Sequence, residues 1–101
     1  MSRKKTAIVS GYFDPLHVGH IEYFKLAKEM ADELIVIVNN HEQCMKKKGD
    51  EFMAEKDRLE IVYHLDMVDE AILAIDKDKS VSETIRMIKR FKPMDELIFC
   101  N

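Results

Sequence analysis

The sequence predicts a doubly wound α/β domain on one parallel sheet, and three observations carry that expectation. Four short apolar runs recur along the chain, and segments of helical periodicity separate them. The first run ends directly in a glycine-led loop that opens a helix. Alternation of this kind calls for parallel pairing, right-handed crossovers and helices on both faces of the sheet. With 101 residues and 47% hydrophobic content, the chain can bury one modest core, so residues 1–101 are expected to form a single domain.

The elements follow in order. Thr6-Ala7-Ile8-Val9-Ser10 is the first strand. The helix after the loop has an apolar face of Ile21, Phe24, Ala27 and Ala31, widened by Tyr23, Leu26 and Met30. Leu34-Ile35-Val36-Ile37-Val38 is continuous and mostly β-branched, which is how a strand buried on both faces reads. Lys46-Lys47-Lys48-Gly49 reads as a flexible loop between Asn39 and the next helix. That helix shows Leu59, Val62 and Leu65, with Ile61, on one face. Residues 71–75 form a third strand. Val81, Ile85, Ile88 and Phe91 mark a third helix, with Ser80 and Ser82 as candidate caps and an end before Pro93. Leu97-Ile98-Phe99-Cys100 closes the set. The acidic pairs Asp32-Glu33 and Asp69-Glu70 precede strands and read as solvated turns.

Composition excludes several classes. A net charge of −3 and a pI of about 5.8 offer no basic face, so nucleic acid is not an expected partner. Cys44 and Cys100 lack metal-ligand spacing and read as reduced thiols of an intracellular protein. The longest apolar run, Leu34 to Val38, has five residues, far short of a membrane span. The start, Met-Ser-Arg-Lys-Lys, is basic, but no apolar signal region follows it. The cytoplasm is the expected location, with no membrane partner. Neither G-x-G-x-x-G nor G-x-x-x-x-G-K-[ST] occurs, and Gly11, Gly19 and Gly49 are the only glycines. A standard dinucleotide-binding oxidoreductase and a P-loop enzyme are therefore not expected.

The chemistry concentrates in residues 11–20, G-Y-F-D-P-L-H-V-G-H. A strand-to-helix junction at the carboxyl edge of a parallel sheet gathers free backbone N–H groups and the positive end of a helix dipole, so an anion is its natural guest. Gly11 lets the backbone turn at the strand end, Pro15 stiffens the loop, and Gly19 lets a phosphate approach the backbone between two histidines. His17 and His20 can then donate hydrogen bonds to phosphate oxygens. A purely structural reading has His17 capping the turn and His20 opening the helix. No Ser or Cys stands beside either histidine as a nucleophile, so in-line phosphoryl or nucleotidyl transfer suits the loop better than a covalent route. The lysine run lies at the same edge. Lys77 and Lys79, after the third strand, are placed to meet an acceptor phosphate. His41 and His64 read as structural.

This loop, a helix, L-I-V-I-V-N-N, a K-K-K-G segment and an E-K-D-R-L-E helix together resemble the cytidylyltransferase-like nucleotidyltransferases. The nearest pattern is the glycerol-3-phosphate cytidylyltransferase and heptose-phosphate adenylyltransferase type, and the likeness runs over essentially the whole chain. It implies a Rossmann-like fold. It implies transfer of a nucleotidyl group from CTP or ATP to a small phosphorylated alcohol or sugar, with release of pyrophosphate. On that resemblance His17 and His20 stabilise the α-phosphate, and Lys48, with Lys46 as the alternative, contacts the triphosphate. Tyr12 and Phe13 touch the nucleotide through their backbone, Gly11, Asp14 and Gly19 complete the nucleotide-binding loop, and Arg58 matches the arginine of the helix after the lysines. Mg²⁺ accompanies the triphosphate, and a homodimer is the expected assembly. Family members also carry a G-G-D-like motif after the fourth strand and a later R-x-x-G-I-S-T-T-like segment that binds base and phosphates. The sequence stops at Asn101, so the domain reads as C-terminally incomplete and the choice between CTP and ATP stays open. A nucleotide-binding module without turnover is the alternative expectation.

Overall fold

The structure, a computed structural model, describes residues 3–100. Met1 and Ser2 of the basic start, and the final Asn101, lie outside the described residues. Eight elements follow one another: β1 (Lys5–Gly11), α1 (Val18–Glu29), β2 (Glu33–Val38), α2 (His41–Lys48), α3 (Glu55–Tyr63), β3 (Glu70–Leu73), α4 (Ser82–Phe91) and β4 (Glu96–Phe99). The strands form one sheet in the order β3-β2-β1-β4. Every pairing is parallel, with Ile8 opposite Ile35, Ala7 opposite Ile98 and Val36 opposite Ala71. The doubly wound parallel sheet expected from the sequence is therefore the fold observed.

Alternation along the strands divides the core in two. Ala7, Val9, Leu34, Val36 and Val38 meet Phe24 and Ala27 of α1 and Val62 of α3 on one face. Ile8, Ile35 and Ile37 meet Ile88 of α4 on the other. Each large aliphatic side chain taken out of water in this way contributes roughly 1.5–3 kcal/mol before entropy is counted. Helices thus cover both faces. The strand order reverses between β1 and β4, so the carboxyl end of β1 stands at the crevice where doubly wound folds bind ligands.

Several expectations need correction. Lys46-Lys47-Lys48 is not a loop but the last turn of α2, which Gly49 ends in the left-handed conformation at φ 74°. The signals were a capping box, with Asn40 Oδ1 accepting from Gln43 N and Gln43 Oε1 accepting from Asn40 N, and a glycine after the last lysine. The helix lacks an apolar face, which is why periodicity missed it. On α1, Leu26 and Met30 are more than half exposed, so the buried face is narrower than read. Ser82 does not cap α4, and Ser80 Oγ accepts only from Ser82 N, at 3.5 Å, so neither serine satisfies the next two amides of the helix. The Asp76 carboxylate does so from outside the helix, accepting from Glu83 N at 2.8 Å and Thr84 N at 3.1 Å. Asp32 and Asp69 are more than solvated turns: they accept from the strand amides of Lys5 and Leu34, pinning the edge of the sheet away from the crevice.

Candidate active site

The loop from β1 to α1 is shaped largely by the ring of Phe13. Phe13 takes φ 53°, a left-handed conformation that costs a non-glycine residue on the order of 1–3 kcal/mol. Burial of its ring offsets this: Phe13 is 4% exposed, edge-on to Phe24 at 5.3 Å and to His20 at 5.0 Å. The same ring explains Gly11, because a Cβ there would sit 2.7 Å from Phe13 Cζ. Gly11 is thus needed for close approach rather than for a sharp turn. Gly19 is constrained likewise, since a Cβ would meet His17 Cε1 at 2.8 Å.

His17 and His20 cap α1 reciprocally. Gly19 N–H donates to His17 Nδ1 at 3.0 Å, and His17 N–H donates to His20 Nδ1 at 3.1 Å. A ring nitrogen that accepts cannot carry the proton, so both rings are held in the tautomer with hydrogen on Nε2. Neither Nε2 has a hydrogen-bond partner among the described residues. The rings stack at 3.9 Å, tilted by 32°. Burial, and then the neighbouring His17, push the His20 pKa below the usual imidazole range. The structural role read for His17 is real, and it leaves two neutral N–H donors at the N-terminus of a twelve-residue helix.

The charged residues of the loop behave differently. The Asp14 side chain is inaccessible to solvent. It accepts from Phe52 N at 2.8 Å, Met53 N at 2.6 Å and Lys48 Nζ at 3.0 Å. Burial alone would raise its pKa, but those donors outweigh it and bring the carboxyl to about 2. Arg58 is 1% exposed. Its Nε donates to Met53 O, its Nη1 to Tyr12 O and Asn39 O, and its Nη2 to Glu51 at 2.6 Å. One guanidinium therefore ties the ends of β1 and β2 to the 50–54 connection. Direct contact with a nucleotide would require breaking these bonds.

A cleft of about 410 Å³ opens on the α4 side of the same edge, lined by Ser10, Gly11, Tyr12, Asn39, Lys47, Lys79, Ser80 and Val81. The three lysines of α2 diverge, as consecutive helical residues must. Lys46 donates to Lys77 O at 2.5 Å, and Lys48 pairs with Asp14. Lys47 lines the cleft, its ammonium 4.8 Å from the centre of the Tyr12 ring. The sequence favoured Lys48, with Lys46 as the alternative, for the triphosphate; the place of Lys47 at the cleft comes from the fold. A hollow of about 550 Å³ lies beside Lys46, Asp76 and Glu83, and one of about 470 Å³ lies beside Arg3, Lys89 and Pro93. None of the three, the cleft included, is lined by a histidine; the cleft is the one that includes Tyr12 of the loop after β1. Among the described residues no three His, Cys, Asp or Glu side chains converge to hold a metal, and no helix is long and apolar enough to cross a membrane.

Comparisons with known proteins bear on the family and the fold. The chain is 39% identical over 93 residues to the FAD synthase of Pyrococcus abyssi, across 91% of this chain and 60% of that protein. It is 40% identical over 92 residues to the FAD synthase of Pyrococcus horikoshii, across 90% and 60%. The chain thus spans about 60% of the length of these curated relatives. Among solved structures, the lipopolysaccharide core biosynthesis protein from Thermoplasma volcanium GSS1 superposes with a TM-score of 0.64 over 97% of each chain, at 24% identity, a likeness of fold. The cytidylyltransferase-like profile matches residues 8–100, from the first strand through the last, and the chain belongs to that family.

Proposed function

We propose that the chain carries the catalytic loop of an adenylyltransferase that joins the adenylyl group of ATP to a phosphorylated acceptor, with FMN as the first acceptor to test. The observation that carries this reading is the pair of stacked imidazoles whose Nδ1 atoms are held by the backbone and whose Nε2–H groups are unengaged. The FAD synthase relatives favour ATP over CTP and a flavin phosphate over an alcohol or sugar phosphate, because FAD is FMN joined through its phosphate to AMP.

In this reaction an oxygen of the acceptor phosphate attacks the α-phosphorus of ATP. The bond from that phosphorus to the bridging oxygen breaks, and pyrophosphate leaves with the electron pair. The α-phosphate gains negative charge on its non-bridging oxygens as the attack proceeds. His17 and His20 donate Nε2–H to those oxygens, and the dipole of α1 acts in the same sense. Neutral donors fixed by a cap need no reorganisation at that moment. Arg58 and Asp14 hold the loop in place from beneath. Lys47 and Lys79 supply the positive charge of the cleft for the acceptor phosphate. Mg²⁺ is expected to arrive with the triphosphate, whose charge it would screen.

The test is pyrophosphate release with ATP or CTP against FMN and glycerol 3-phosphate. The expected result is FAD from ATP and FMN alone. Nucleotide binding by calorimetry without release for any pair would instead favour a binding module.

A further inference from the structure

Gln43, on the first turn of α2, is fully buried and uses every hydrogen-bonding position of its amide. Nε2 donates to Asp78 O at 2.7 Å and to Ser80 O at 2.8 Å. Oε1 accepts from Asn39 Nδ2 at 3.0 Å and from Asn40 N at 2.9 Å. Filling the space under α2 needs no amide, since a methionine would fit there without the cost of desolvating four polar positions. A fully satisfied buried network instead specifies one arrangement of what it joins.

What it joins are the two walls of the cleft. Lys79 and Ser80, on the connection between β3 and α4, form one wall, and Gln43 holds the carbonyls on either side of Lys79. Tyr12 and Lys47 form the other. Lys47 stands four residues along α2 from Gln43, so one short helix carries the cation of the Tyr12 wall and the clamp on the Lys79 wall. The network continues to the histidine loop, because Asn39, which donates to Gln43, accepts at its carbonyl from the same Arg58 nitrogen that reaches Tyr12 O.

We infer that Gln43 is a positioning residue that sets the gap between Lys47 and Lys79 and thereby the binding of the phosphorylated acceptor, an inference that rests on the transfer reaction proposed above. The ligand class is a phosphate monoester dianion on a larger group, which two ammonium groups on opposite walls complement.

Three variants of the full chain test this. Gln43→Glu keeps the size but sets a carboxylate oxygen against the Asp78 and Ser80 carbonyls, and Gln43→Met removes all four bonds. Each is expected to raise KM for FMN at least about tenfold while kcat and KM for ATP stay within about threefold. Lys79→Ala should behave alike, and adding Gln43→Met to it should cost little more, since both act on one contact. Equal rises in both KM values, or additive effects, would overturn the inference by marking Gln43 as general support. Amide exchange supplies a readout that needs no turnover. Ser80 N–H should exchange at least about tenfold faster in Gln43→Met, with β1 amides unchanged, and unaltered exchange at Ser80 overturns the inference. If Gln43→Met does not fold, Gln43→Asn, one methylene short of its partners, carries the same comparisons. A wild-type chain without turnover would sink the transfer reading, and exchange together with FMN binding by calorimetry would still decide the role of Gln43.

Discussion

The histidine pair and the charged hub that anchors its loop use polarity in opposite ways. His17 and His20 each give one ring nitrogen to the protein and keep the other. Asp14 and Arg58 give theirs almost entirely to carbonyls, amides and the partner charges Lys48 and Glu51. A motif residue that is charged and buried builds the site, whereas one that is half-engaged and neutral is available to a ligand. Formal charge is therefore a poor guide to which residues of the motif keep a polar atom open to a ligand.

The sharpest way to break this comparison is to remove the hub. Arg58→Ala should destabilise the fold by about 3–5 kcal/mol, because it strands Glu51 and three carbonyls in a buried place. Arg58→Lys should recover little of this, since an ammonium cannot reproduce the planar fork. Denaturant unfolding measures both. A loss near zero, with nucleotide affinity falling instead, would make Arg58 a ligand contact and erase the contrast.

The histidines come next. Removing one preorganised donor to a developing charge costs on the order of 3 kcal/mol, so His20→Ala should lower kcat roughly a hundredfold or more with a small change in ATP affinity. The double replacement with His17→Ala should cost less than the sum, because both act on one phosphate. Single-turnover kinetics beside calorimetry separates the effects, and a variant that binds weakly yet turns over normally would reduce the loop to an anion clamp. His20 also makes a pH prediction. Its pKa is lower folded than unfolded, so the unfolded chain binds more protons and stability should decline as pH falls below about 6.5. Unfolding curves of wild type and His20→Gln should converge below that range.

Asp14 sharpens the comparison from the acid side. Its folded pKa of about 2 lies below the ordinary 3.8, so its stabilisation is present above about pH 4 and lost as pH falls toward 2. Asp14→Asn should be less stable than wild type at neutral pH, with the gap closing over that window. The smallest effect belongs to Lys47→Ala. It should raise KM for the acceptor by about tenfold with stability unchanged, as expected for loss of one charge-assisted hydrogen bond.

The contrast also explains what the sequence made legible. Four apolar runs and the loop from Gly11 to His20 sufficed for the parallel sheet, because burial on both faces leaves a continuous signature at residues 34–38. Helix α2 was hidden because five of its eight residues are charged or imidazole and it buries only Gln43 and Cys44. Read as a loop, the segment also gave no reason for its three lysines to point in different directions. The depth of Arg58 could not be read either, since its carbonyl partners come from three separated connections that only the fold brings together. Glycine spacing was visible, but its reason, the rings of Phe13 and His17, was not.

The most direct measurement of the central claim is nitrogen NMR of the two imidazoles in the full chain, with and without ATP. The account predicts that both rings carry their proton on Nε2, and that adding ATP shifts the Nε2 resonances while the Nδ1 resonances, held by backbone amides, stay in place. Protons found on Nδ1, or ATP-induced shifts at Nδ1 with Nε2 unmoved, would contradict it.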